Sequence, residues 1–560
     1  MRTAFTKLTL IVFAFAIVGL AAQTSFAGPA QFVIVNVNAP GVGFNDPTPV
    51  APVGGNTGTT LGQQRLIAFQ HAAAIWSARL DSSVPIRIQA QFVPLGTNVL
   101  GSAGPLGVAR DFAGAPLPGT WYHSALANKL FGADILPATN DIGANFSSQF
   151  NFYLGLDNNH GAQFDLVAVL LHEFAHGLGF SQLASLGNGS LFLGFPDQYN
   201  SKLFDQTLNL TWPQMTNAQR LASSTRFGRV VWNGSFVTAG VPNVLSLGSL
   251  EVRVTNPAAI AGVVQFGTAA FGPTVASSNV AAGVVAAVDA VETGGTSTDG
   301  CSPFTNAAAV AGKIALIERG GACGFAQKAR MATNALAVAV IIYNQAANAG
   351  AAPPNMGDDG INGAFVTIPT VSVKRLDGTD IVANLAGGVS ASMGINGTIR
   401  AGADQLNRAR VFAPFPVIGG SSISHYDSNA IRNLLMEPAI NFDLTHKVKA
   451  PDDLTWELLH DIGWTFPDAD GDGVVDDEDC NANSDTSPTI IINGVDTGVP
   501  NMLFPTGCTM SDLLSQLKSD AVNHGDYASA VAHLTNQWVA DGLISGAQKG
   551  AIQSAAAKNK

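Results

Sequence analysis

The chain has 560 residues, a formal charge of −12 and only 12% charged residues. That length exceeds a single hydrophobic core and calls for two to four domains. The acidic balance and the lack of a basic patch exclude a nucleic-acid partner.

Residues 1–27 read as an export signal. Arg2 and Lys7 supply the positive start, Leu8 to Ala22 is a short apolar run, and Ser25-Phe26-Ala27 offers a cleavage site. The mature protein is therefore expected to be secreted. No later stretch of about 18 uncharged apolar residues reads as a membrane span. Gln31 to Asn38 alternates as a strand, Gln63 to Leu80 has helical spacing, and Ile86 to Phe92 alternates again. A Gly/Pro-rich stretch from Gly96 to Gly119 follows, then an extended segment within Asp141 to Phe152 and a buried helix over Phe164 to Gly177. This order implies an α/β layer with the last helix under a sheet.

After about residue 235 the character changes. Leu250 to Gly397 is rich in Ala, Val and Gly, with short strands at Lys313 to Ile317 and Ala337 to Tyr343. From Phe412 the earlier style returns and closes in a helix over Leu454 to Ile462. An acidic run, Asp468 to Asp479, precedes a helical tail from Ser511, where Ser545 and Gln548 have capping-box spacing. The four cysteines are Cys301, Cys323, Cys480 and Cys508. An even count in an exported chain points to disulfides, and three connectivities are open. The local pairing is favoured because each pair falls within one module.

Leu171-His172-Glu173-Phe174-Ala175-His176 carries the pattern H-E-x-x-H. On a helix, residues i and i+4 share a face, so both imidazoles can reach one zinc. Glu173 stands beside them as the base for a zinc-bound water. The bare pattern also arises by chance, in a buried helix with no metal. Against that stand an apolar helix before the motif, the export signal, and Gly179, placed where such proteins turn to bring in a third ligand. The contiguous position for that ligand holds Gln182, an amide and a poor zinc donor. The better source is Ser424-His425-Tyr426, followed by Leu434-Leu435-Met436-Glu437-Pro438.

These motifs together resemble the leishmanolysin-type metallopeptidases, metzincins in which an insertion separates the second and third histidines. The resemblance implies that His172, His176 and His425 hold zinc, that Glu173 is the general base, and that Met436 forms the Met-turn beneath the metal. Two departures stand out: Tyr426 replaces an expected Trp, and no cysteine precedes the catalytic helix to act as a latency switch. The remaining histidines, His71, His123, His160, His446, His460, His524 and His533, read as core or solvated residues.

Lys313 to Gly320, Cys323-Gly324-Phe325, Lys328 and Ile368 to Ser372 resemble the protease-associated (PA) domain. That domain is non-catalytic, and the resemblance implies a role in substrate access or partner binding. Asp468, Asp470, Asp472, Asp476 and Asp479, with Gly473 at the sixth position, have calcium-loop spacing and resemble a thrombospondin type 3 repeat. The alternative is a solvated acidic linker.

The expected fold is thus an α/β (α+β) metzincin-like catalytic domain, 28–245 and 403–466, interrupted by an α/β PA domain at 246–402. A calcium-binding region at 467–508 and a small helical C-terminal module at 509–560 follow. The expected function is zinc-dependent hydrolysis of peptide bonds in extracellular proteins or peptides, with zinc and calcium as cofactors. Partner binding is assigned to the PA and C-terminal helical modules. A competing reading is an inactive binding or adhesion protein on the same scaffold; the presence of Glu173 argues for catalysis. A third reading takes the last ligand from a glutamate on a following helix, but no glutamate lies between residues 174 and 250.

Overall fold

A computed structural model describes residues 28–476 and 478–558; the export signal expected at 1–27 lies outside them. The first sheet is built from β1 (Phe32–Asn36), β2 (Ile86–Val93), β3 (Gly101–Pro105) and β4 (Ile142–Ser147), in the order β1-β2-β4-β3. β1 and β4 flank β2 in parallel, with Ile34 opposite Ile88 and Ile88 opposite Ile142. β3 pairs antiparallel on the far side of β4, Ala103 opposite Ala144, and forms the sheet edge. Ile86, Ile88, Ala90 and Phe92 turn inward along β2, as the period of two requires.

Helix α1 (Leu61–Ser77) starts two residues before the expected Gln63 because Thr60 and Gln63 form a capping box, each side chain bonding the other's backbone N–H. Helix α2 spans Ser124–Phe131. The metal-motif helix, α3 (Leu166–Leu178), is capped by Asp165, which accepts from Val167 N–H at 2.8 Å, and is buried at every position. α1 packs on α3: Phe69 meets Phe174 edge-on at 5.8 Å, and the Trp76 indole donates to the Leu171 carbonyl at 3.2 Å.

After α4 (Ser235–Val244) the chain enters an eight-stranded mixed sheet. Its strands are β5 (Leu247–Asn256), β6 (Gly262–Val263), β7 (Phe266–Thr268), β8 (Asn279–Ala286), β9 (Ile314–Glu318), β10 (Ala339–Tyr343), β11 (Thr370–Val373) and β12 (Val389–Arg400), ordered β6-β5-β12-β8-β9-β10-β11-β7. β8 to β11 run parallel, and the apolar runs of β9 and β10 reflect burial on both faces. In β9, Ile314 and Leu316 face one core, and Ala315 and Ile317 the other. Helix α5 (Phe325–Asn334) covers the second core and α6 (Arg375–Asn384) the first. The insert's two ends are adjacent: Leu247 pairs with Arg400, and Ala401 N–H donates to the Ser246 carbonyl at 2.9 Å.

Residues 403–464 then rejoin the core built by residues 30–245. The closing helix α7 (Thr455–Ile462) is fastened by Asp461, which accepts from the Trp232 indole (2.9 Å) and from Phe236 and Val237 N–H at the start of α4 (3.0 and 3.1 Å). The Trp464 indole donates to the Leu178 carbonyl at 2.8 Å, tying the end of this domain to the end of α3.

Beyond the acidic loop, a hairpin of β13 (Thr489–Ile492) and β14 (Val495–Pro500) precedes α8 (Met510–Asp520), α9 (His524–Ala540) and α10 (Gly546–Ala556). Ile490 and Val499 share a core with Met510, Val531, Trp538 and Ile552, so the last module takes in the hairpin as well as the helices. Disulfides join Cys301 to Cys323 and Cys480 to Cys508. Among the described residues no helix is long and apolar enough to cross a membrane.

Candidate metal centre

Helix α3 sets His172 and His176 one turn apart on one face, with their Nε2 atoms 3.1 Å apart. The returning segment adds His425, whose Nε2 lies 3.3 Å from that of His172. All three rings are buried, and their ligand atoms fall within 4.8 Å of one another. The other side of each ring fixes its tautomer. Nδ1 of His172, His176 and His425 faces the carbonyls of Leu435 (2.7 Å), Phe180 (2.8 Å) and Ser421 (2.8 Å), so each Nδ1 must donate. Three Nε2 lone pairs therefore point into one space.

Burial, and repulsion from His176, hold His172 down at about 3. Burial likewise holds His176 at about 4, and His425 well below the usual range. Neutral imidazoles are the ligand form. Nitrogens that share a tetrahedral zinc at about 2.0–2.1 Å stand about 3.3 Å apart. The spacings here suit that ion, and the three backbone carbonyls supply the outer contacts that orient such ligands.

Glu173 leaves the helix beside the histidines, toward β3. A Cβ on Gly101 would come within 2.8 Å of its Oε1, so the edge strand runs directly over this carboxyl. Oε2 is buried without a hydrogen-bond partner. Burial pushes the carboxyl up to about 8, against a backbone hydrogen bond from Ala103.

The floor is a tight turn. Leu434 N–H donates to Glu437 Oε1 at 2.9 Å, and Glu437 N–H returns to the Leu434 carbonyl at 3.2 Å. Met436 sits in this turn, fully buried. The Tyr426 ring packs edge-on against Phe180 at 5.0 Å, and its hydroxyl donates to the Leu454 carbonyl at 2.9 Å. Gln182 lies alongside the ligand segment, its backbone N–H on Ser424 Oγ at 3.3 Å. The left-handed turn at Gly179 (φ +130°) leads there; a side chain at that position would strike Ile462.

The other histidines serve elsewhere. His446 Nε2 bonds Asp165, the cap of α3, at 2.8 Å, and His460 stacks on Phe236 at 3.7 Å. His123 is wholly buried, close enough to His176 for the two to repel each other's charge. Strand β3 was missed by sequence reasoning, although it places Gly101 and Ala103 against Glu173.

In the acidic loop, Asp468, Asp470 and Asp472 gather within 4.8 Å. The Oδ2 atoms of Asp472 and Asp479 are buried without hydrogen-bond partners. Asp476 instead turns one oxygen back onto Ala469 N–H at 2.7 Å. Glu478, in the same loop, pairs with Arg79 at 3.2 Å and with Lys449, fastening the loop to the catalytic domain.

Residues 280–381 match the PA domain family, so the chain carries a PA domain inside its insert. A segment of 88 residues is 40% identical to human ER degradation-enhancing alpha-mannosidase-like protein 3, covering 15% of this chain and 9% of that protein. Among solved structures, an aminopeptidase from Aneurinibacillus sp. is similar at 22% identity and a TM-score of 0.19, covering 27% of this chain and 31% of that one. The zinc aminopeptidase BSAP from Bacillus subtilis is similar at 21% identity and 0.19, covering 29% and 36%. The chain thus spans less than a tenth of the curated relative and about a third of each solved structure, likenesses too short to bear on the metal centre.

Proposed function

We propose that this chain is a secreted, zinc-dependent endopeptidase of the leishmanolysin-like, metzincin type, acting on proteins or peptides. The observation that carries the reading is the convergence of three neutral Nε2 lone pairs beside a buried carboxyl with one unpartnered oxygen. Burying a polar atom without a partner costs about 1–3 kcal/mol, and a reacting group accounts for that cost. An adhesion scaffold would have no use for it.

His172, His176 and His425 would hold the ion, and bound zinc supplies Lewis acidity to the attacking water and the scissile carbonyl. Glu173 takes the water's proton at Oε2 and passes it to the departing amine. The outer edge of β3 presents backbone groups to which an extended peptide can add as a further strand. Leu435 and Phe180 keep the rings from rotating through their carbonyls. In this reading the PA domain shapes substrate access, and Asp468, Asp470, Asp472, Asp476 and Asp479 hold calcium. The leader sequence and the two disulfides support secretion.

The test is casein hydrolysis by the purified chain with and without a zinc chelator, alongside Glu173→Gln. Activity should vanish with chelation and return with zinc. The variant should lose about 10²–10⁴-fold in kcat while keeping one zinc per chain. Chelator-resistant turnover, or near-native turnover by the variant, would refute the assignment.

A further inference from the structure

A cavity of about 400 Å³ lies between the catalytic domain and the insert, where it is reached by Arg229, Arg408 and Arg410 from one side and Arg253 of β5 from the other. Two carboxylates answer these four cations. Asp404 takes Arg408 at 2.8 Å and also accepts from Gln206 at 2.7 Å. Glu251, 4% exposed, is shared between Arg253 at 3.0 Å and Arg410. Further carboxylates stand outside the cavity lining: Asp377 and Asp205 pull on Arg229, and Asp427 is attracted by Arg410.

Arg229 is the least bonded of the four among the described residues. Its one side-chain hydrogen bond among the described residues runs from Nε to the Val263 carbonyl at 3.0 Å, which leaves the fork of its two terminal nitrogens to the cavity. Its guanidinium lies flat on Gly262, where a Cβ would come within 2.6 Å of Cζ. Arg410 is 2% exposed and keeps Nε buried with no partner. Burial, with repulsion from Arg226 and Arg253, draws the Arg229 pKa below its usual value against the pull of Asp377 and Asp205.

A guanidinium fork without acceptors in a partly enclosed space costs free energy that a bound anion recovers. Their planar forks match the paired oxygens of carboxylate and phosphate. The volume falls in the range of small-molecule sites. We propose that this cleft binds a small anion bearing carboxylate or phosphate oxygens, which bridges the insert to the catalytic domain. The four guanidinium groups explain the choice of an anion, and the shared lining explains the bridging. Neither point depends on the metal centre.

The test is calorimetric titration of the full chain with inorganic phosphate and, separately, with succinate, at constant ionic strength against a chloride control. Saturable one-site binding by either dianion is expected, with a rise in Tm. Phosphate alone would mark a phosphate site, and succinate alone a dicarboxylate site. Arg229→Gln should weaken binding by about tenfold or more, the equivalent of one charged hydrogen bond. Arg253→Gln, on the insert side, should do the same and serves if the first variant does not fold. Absence of saturable binding by both dianions to the wild-type chain, or undiminished binding by the folded variants, would overturn the proposal.

Discussion

The backbone N–H of Tyr426 donates to the carbonyl of Met436 at 2.8 Å, so the residue after the third histidine is laced to the turn beneath it. The neighbouring Leu435 carbonyl accepts from His172 Nδ1. The helix from one half of the domain and the loop from the other are therefore joined by a side-chain-to-backbone hydrogen bond as well as by any shared ion.

The third ligand is expected to be His425 and not Gln182. His425→Ala should weaken zinc binding by more than about a hundredfold, beyond the usual loss for an outer-shell partner, and eliminate proteolysis. Gln182→Ala should leave the zinc content unchanged. Metal analysis of both purified variants decides, and the reverse pattern would remove the leishmanolysin-like assignment.

Gly101 is expected to be required for turnover. A valine there would press into Glu173 Oε1 and turn the carboxyl away from its proton. Gly101→Val should lower kcat by about a hundredfold with zinc still bound. Unchanged kcat in a zinc-loaded variant would show that the edge strand does not set the position of Glu173.

Glu457 makes stability depend on pH. Ala450 N–H donates to its Oε1 at 2.9 Å, but Oε2 is buried without a partner. Burial is the largest cause pushing the carboxyl up to about 8. A raised acid binds its proton more readily in the folded state than in the unfolded one. Its contribution is complete below the ordinary value near 4.5 and is lost as pH climbs toward 8. Glu457→Gln should therefore match the wild-type Tm near pH 4 and exceed it at pH 8. A Tm difference that does not grow with pH would contradict this.

Calcium should bind the acidic loop and raise stability. Burial lifts the Asp472 carboxyl above its ordinary range, and repulsion from Asp470, Asp479 and Asp468 adds to the lift. A divalent cation removes that repulsion and stabilises the folded chain by mass action. Titrating calcium into the EGTA-treated full chain should give saturable binding and a higher Tm, and Asp472→Asn should weaken it by about tenfold. No heat and no Tm shift would leave the loop as a plain linker.

The metal-motif helix is legible because its message is local: His172 and His176 are four residues apart and the flanking residues are uniformly apolar. His425 needed Met436 as a second marker, since nothing in its own neighbourhood specifies a ligand. β3 was not legible. Gly-Ser-Ala-Gly-Pro has none of the β-branched or aromatic residues that favour strands, and its pairing with β4 alone makes it one. The hairpin at 489–500 was also missed, within the stretch read as the calcium-binding region, although its signal was there. Asn493-Gly494 after three isoleucines is a strong turn signal, and both residues adopt positive φ, 52° and 75°. The arginine cleft draws on residues from 229 to 410, and only the folded chain brings them to one place.

The insert, entered and left through one hydrogen-bonded gate at Ser246 and Ala401, also imposes a timetable on biosynthesis. About 250 residues separate His176 from His425. At roughly 5–20 residues per second, a ribosome takes on the order of ten to fifty seconds to cross that gap. In the proposed reading, the nascent chain for that interval has the helix with two histidines and the general base but no third ligand. A tightly held ion, and with it proteolytic competence, can arrive only after the whole inserted domain has been made. On that reading the interruption acts as a delay line, keeping a half-built enzyme harmless to the cell that makes it.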